Sequence, residues 1–106
     1  MNATEKRVLE RFKALLLERV PLLKMILFGS RAREDAVSYS DMDVVVIVDG
    51  PLNEKIREEV SECAWEAGFE YGIVVVPVVF TQDEWENGPE RYSLLVQAAE
   101  TEGILL

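Results

Sequence analysis

Residues Phe28–Val48 read FGSRAREDAVSYSDMDVVVIV. An apolar run, Leu22–Phe28 (LLKMILF), stops at Gly29-Ser30. Two arginines and a polar loop follow, and a new apolar run opens on Asp41-Met42-Asp43. The second run, Met42–Val48, is solidly β-branched after Asp43 and is closed by Asp49-Gly50-Pro51. Stiff β-branched side chains without polar alternation indicate a strand buried on both faces. The first run, short and ended by glycine, reads as another strand. In a strand, residues i and i+2 share a face. Asp41 and Asp43 therefore project side by side, with about 6–7 Å between their Cα atoms.

Working outward, Thr4 to Arg19 has helical spacing of Val8, Phe12, Leu15, Leu16 and Arg19/Val20, with charges opposite. Asn2 or Thr4 is placed to cap it, and Pro21 lies beyond its end. GSRARED, from Gly29, starts a short helix or turn. Asn53 to Ala67 carries a second apolar stripe, Leu52, Ile56, Val60, Cys63/Ala64 and Ala67, with Gly68 as its stop. Gly72 to Phe80 reads as a third strand, in which Pro77 implies a sheet edge or a bulge. Thr81-Gln82-Asp83-Glu84 has the pattern of a capping box. Pro89 to Thr101 reads as a last helix, with Gly103 as its stop and Ile104–Leu106 trailing. The order α-β-α-β-α-β-α-α predicts an α/β (α+β) fold, a small mixed sheet covered by helices.

The 106 residues predict one domain, 1–106. The longest apolar run, Ile73–Phe80, falls far short of the ~20 residues that span a bilayer, so no membrane association is expected. The first twenty residues interleave charges with apolar side chains, unlike a secretory leader. Cys63 stands alone and cannot form an internal disulfide. These features point to the cytoplasm. The chain has no histidine, which removes histidine bases, Ser-His-Asp triads and most zinc sites. Catalysis would fall to carboxylates, hydroxyls, arginines and a hard metal ion.

Net charge is −9 and unevenly spread. Residues 1–33 hold eight basic and three acidic side chains, and residues 34–106 hold three and seventeen. Such a chain repels a nucleic-acid backbone at long range, so no stable nucleic-acid binding by this chain alone is expected. The acidic part reads as solvated helix faces, Glu58, Glu59, Glu62 and Glu66 among them, or as a surface for a basic partner. Trp65, Trp85 and Cys63 read as core, and Tyr39 is the better candidate for base stacking. P-loop and dinucleotide-fold glycine motifs are absent.

The opening stretch combines into one site. Gly29 permits close backbone approach, Ser30 offers a hydroxyl, and free N–H groups at a helix start favour phosphate. Arg31 and Arg33 bring charge to phosphate oxygens. Asp41 and Asp43 repel each other unless a cation lies between them. Mg²⁺ accepts one or two protein carboxylates together with substrate phosphates. A held triphosphate bridged by metal describes phosphoryl or nucleotidyl transfer.

Gly29-Ser30, ten residues from Arg31 to Ser40, then Asp41-Met42-Asp43 resembles the signature of the minimal nucleotidyltransferases, in the DNA polymerase beta-like superfamily. The likeness runs along nearly the whole chain, to Glu102–Leu106. It implies a nucleotidyltransferase-type fold, with Gly29 and Ser30 on the nucleotide phosphates and Asp41 and Asp43 as catalytic ligands of Mg²⁺ or Mn²⁺. It also implies an NTP substrate, with ATP expected, and AMP transfer to a hydroxyl acceptor. A HEPN-domain protein is the implied partner, with this chain as the antitoxin-like member, and a homo-oligomer is open.

Active members also carry a third carboxylate on a later strand, where it serves as general base. Gly72–Phe80 has none. The position aligns with Val76, second with Val78. Glu70 and Asp83 flank the strand and could substitute only by reaching in. The alternatives are an acceptor that needs no strong base, or a partner that supplies one. The rival expectation is a degenerate module that binds nucleotide or neutralises a partner without catalysis.

Overall fold

Two local signals start the first helix. The computed structural model describes residues 2–28, 41–88 and 103–106. In it the Asn2 side chain accepts from the Glu5 N–H at 2.8 Å, and the Glu5 carboxylate accepts from the Asn2 N–H at 3.0 Å. This reciprocal pairing satisfies donors that a helix start leaves open. Helix α1 (Ala3–Arg19) follows, and Asn2, rather than Thr4, is its cap. Strands β1 (Leu22–Phe28) and β2 (Met42–Val48) occupy the two expected runs. Helix α2 (Glu54–Phe69) is capped by Asn53 and runs through Gly68. Gly68 is therefore not the expected stop: a Cβ there would collide with the Ile73 carbonyl, so glycine allows the following loop to pack on the helix. The chain turns at Gly72, whose φ of 67° favours glycine. Strand β3 (Val75–Thr81) begins three residues later than expected, and α3 (Gln82–Asn87) starts with the capping box between Thr81 and Glu84.

Ile104–Leu105 form a short strand, β4, where only a trailing segment was expected. They pair antiparallel with Leu27 and Ile26, and the Leu106 N–H donates to the Met25 carbonyl. Two residues are too few for a periodic signal. The expected turn or helix from Gly29 and the helix Pro89–Thr101 lie outside the described residues.

The sheet order is β3-β2-β1-β4, with β1 antiparallel to β2 and to β4, and β2 parallel to β3 across α2. The mixed sheet expected from the sequence is present. Among the described residues β3 is an edge, as Pro77 implied. The Met42 N–H donates to the Val74 carbonyl. In a parallel ladder this turns even-numbered β3 residues toward β2 and odd-numbered ones outward. The N–H that Pro77 lacks thus belongs to the open edge, where the ladder does not need it.

The two sheet faces pack differently. Met42, Val44, Val46 and Val48 join Met25 and Leu27 beneath Val8, Phe12 and Leu16 of α1 and Val60, Cys63 and Ala67 of α2. Val45 and Ile47 face the other way and pack with Ile26, Phe28, Phe80 and Trp85. Each fully buried aliphatic contributes about 1.5–3 kcal/mol by leaving water. Arg19 ties α1 to α2, reaching Glu66 at 3.3 Å and Glu59 and Glu62 at 3.8 Å. These glutamates are thus more than the solvated face expected of them. Trp85 is core as expected, but Trp65 is not: it is 64% exposed. Its stripe on α2 lies to one side of the stripe that meets the sheet, and apolar character alone does not tell the two apart.

Candidate active site

Asp41 and Asp43 stand at the head of β2, where the chain enters the sheet. Asp41 is exposed and Asp43 half-buried. Their odd numbering sets both on the face of Val45 and Ile47, away from α1 and α2. Asp43 pairs in register with Phe28 of β1 on one side and with Val76 of β3 on the other. Neighbouring strands lie about 4.8 Å apart, so Asp43 is flanked by two apolar side chains. Burial, and then the charge of Asp41, hold the Asp43 carboxyl above its usual range. Phe28 was not singled out in the sequence as a site neighbour, because only the strand pairing places it there.

The same register ranks the positions for a third acid. Val76 is directly opposite Asp43, whereas Val78 is opposite Val45, one step further into the sheet on the same face. Asp83 lies beyond Thr81, the partner of Val48. Val48 is five strand steps from Asp43, about 16 Å at the rise of a strand, so Asp83 belongs to the far end. Glu70 lines a hollow with Arg11, Trp65, Glu66 and Phe69 on the outer side of α2. Neither acid joins the aspartate pair. Gly29, Ser30, Arg31, Arg33 and Tyr39 lie outside the described residues, although Gly29 directly follows Phe28, the β1 partner of Asp43.

The donor set suits a hard divalent cation. Two carboxylates two residues apart on one strand face, one of them destabilised by burial and by its neighbour, are relieved by a positive charge between them. Among the described residues no group of three or more acidic, histidine or cysteine side chains converges. A pair suits Mg²⁺ or Mn²⁺ that keeps water and substrate oxygens as further ligands. Cys63 is no nucleophile candidate, because it is buried against the sheet and burial raises its thiol pKa. No helix among the described residues is long and apolar enough to cross a membrane.

The chain is similar to known proteins in sequence and in fold. The model of the nucleotidyltransferase domain family matches residues 6–100. A probable protein adenylyltransferase, MntA of Haemophilus influenzae, is 25% identical over 88 residues, 83% of this chain and 77% of the relative. A putative protein adenylyltransferase of Methanocaldococcus jannaschii is 31% identical over 71 residues, 60% of this chain and 72% of the relative. Among solved structures, a toxin–antitoxin structure with AMP-PNP superposes with a TM-score of 0.65 at 22% identity, covering 91% of this chain and 69% of the other. A tri-AMPylated Shewanella oneidensis HEPN toxin in complex with its MNT antitoxin gives 0.58 at 23% identity, covering 96% and 70%. At these identities the structural likeness is one of fold.

Proposed function

The chain belongs to the nucleotidyltransferase domain family, and on that premise we propose that it moves AMP from ATP to a hydroxyl of a HEPN-domain partner protein, as the antitoxin-like member of the pair. The observation that carries the reading is the placing of Asp41 and Asp43 on one face at the head of β2, with the Gly29-Ser30 pair directly following Phe28, the β1 partner of Asp43. The names of the relatives, protein adenylyltransferases, support the reaction class. A HEPN toxin bound by an MNT antitoxin supports the kind of partner. The reading carries a cytoplasmic location, where ATP is available.

The roles follow from chemistry. Asp41 and Asp43 hold Mg²⁺ or Mn²⁺. Gly29 and Ser30 seat the phosphates, and Arg31 and Arg33 balance their charge. An ion held there would neutralise the triphosphate and the charge that develops as pyrophosphate leaves. The acceptor oxygen attacks the α-phosphorus, the bond to pyrophosphate breaks, and the hydroxyl proton passes to water. The test is transfer of label from α-labelled ATP to a HEPN-domain protein, with Mg²⁺ present. The wild-type chain is expected to label it and Asp43→Asn is not; labelling by both at equal rate would refute these roles.

Val76, opposite Asp43 where a third acid is expected, favours a second reading. In it the chain binds nucleotide and partner but does not transfer AMP. Under that reading, Asp41→Ala/Asp43→Ala still binds and neutralises the partner as well as the wild type does. Binding without neutralisation by that variant would eliminate it.

A further inference from the structure

The outer side of α2 carries a feature that neither the sheet nor the aspartate site uses. Glu58, Ser61, Trp65 and Phe69 follow one another at helical spacing of three or four residues and are all exposed. Trp65 and Phe69 stack with ring centroids 4.6 Å apart, and they are 64% and 68% exposed. They border a groove of about 620 Å³ whose floor is the α2–β3 turn and the start of β3, including Ile73 and Val74. Val74 is itself 60% exposed. Two stacked aromatic rings open to water beside an apolar groove at a sheet edge form a patch suited to a partner.

The surrounding charge selects that partner. From Glu58 to Gly88 the chain has eight acidic residues and no lysine or arginine. Arg11 of α1 enters the hollow next to the groove, beside Glu66 and Glu70, and Arg19 is engaged by Glu59, Glu62 and Glu66. Glu58 and Glu70, at the two ends of the aromatic stripe, are both exposed and no ion pair to them is recorded among the described residues. A second copy meeting this face by two-fold symmetry would set acidic flank against acidic flank.

We propose that this groove seats an apolar side chain of the partner protein, flanked by lysine or arginine residues that meet Glu58 and Glu70. This rests on the partner half of the reading above and locates the contact on α2 and the start of β3, reaching Val76, the β3 residue opposite Asp43. Aromatic rings here also attract a cation over their faces.

The experiment measures binding of the full chain to a purified HEPN-domain protein from the same organism. Trp65→Ser/Phe69→Ser changes exposed positions and leaves Trp85 as the sole tryptophan, so its emission reports that the fold is intact. That variant is expected to bind about 100-fold more weakly, the loss typical of a central aromatic anchor. Glu58→Lys/Glu70→Lys is expected to slow association about tenfold and flatten its salt dependence. A folded aromatic variant that binds at full affinity overturns the groove and leaves the partner reading standing. A wild-type chain that binds no HEPN-domain protein overturns the partner reading and the groove with it. Self-association of the wild type that the aromatic variant loses would assign the groove to a second copy and also overturn the proposal.

Discussion

On one face of β2, Met42, Val44, Val46 and Val48 are enclosed beneath α1 and α2. On the other face Val45 and Ile47 are just as enclosed, yet the same row ends in half-buried Asp43 and exposed Asp41. The difference lies along the strand as much as across it. Where packing is complete, β2 is a mount that cannot shift by a residue without turning every side chain to the wrong face. Where packing gives out, two carboxylates emerge from that mount with their positions set by it. A site on a rigid element holds its geometry better than one on a loop.

The largest expected effect breaks the outer row at its polar end. Asp43→Asn removes one charge from the pair proposed to hold the metal, and such electrostatic stabilisation is worth several kcal/mol. AMP transfer should fall by about a thousandfold or more, read as label incorporated per minute, while the unfolding midpoint is kept. Leu27→Ala addresses the inner face, where Leu27 is fully buried. A cost of about 2–5 kcal/mol is expected in a denaturant titration, with the transfer rate per folded molecule unchanged. If activity per folded molecule fell as steeply as stability, the two faces would not be separable.

Val76→Asp sharpens the contrast at the site itself. It sets a third carboxylate opposite Asp43, and base assistance is worth about a hundredfold at the lower end of its usual range. A rate gain of that order in single-turnover assays would identify the missing base. An unchanged rate would show that the acceptor or the partner provides for the proton.

The smallest effect is in pH dependence. The folded state raises the Asp43 carboxyl above its unfolded value of about 3.9. Between those values the folded protein binds more protons than the unfolded chain, so stability falls as pH rises through that window. Without metal, Asp43→Asn should equal the wild type near pH 3 and unfold at a slightly higher temperature at pH 7. Saturating Mg²⁺ should reverse that order, since a ligand at a hundred times its Kd adds about 2.7 kcal/mol to the state that binds it. Coincident melting curves at every pH would mean that Asp43 is not strained by its surroundings.

Much of this architecture was legible in the chain because its signals are local. Pro21 and Gly29 bracket β1, Asp41 and the Asp49-Gly50 turn bracket β2, and both strands span the residues expected. Asn2, Asn53 and Thr81 mark helix starts through hydrogen bonds to residues three positions on. The side-by-side placing of Asp41 and Asp43 was expected from strand periodicity, and β2 opens at Met42 between them. Other features depend on long-range partners. Gly68 looked like a helix stop, but the approach of the Ile73 carbonyl accounts for it. Trp65 looked like core, but α2 turns it outward.

The sequence by itself therefore determined β1, β2 and the starts of α1, α2 and α3, because each depends on neighbours a few residues away. Only the tertiary structure decided that β3 lies parallel to β2 with Val76 against Asp43, that Phe28 flanks the other side, and that Ile104–Leu105 complete the sheet. Strand register is a choice among pairings far apart in the chain. It is settled when whole faces are buried together, and no single residue carries it.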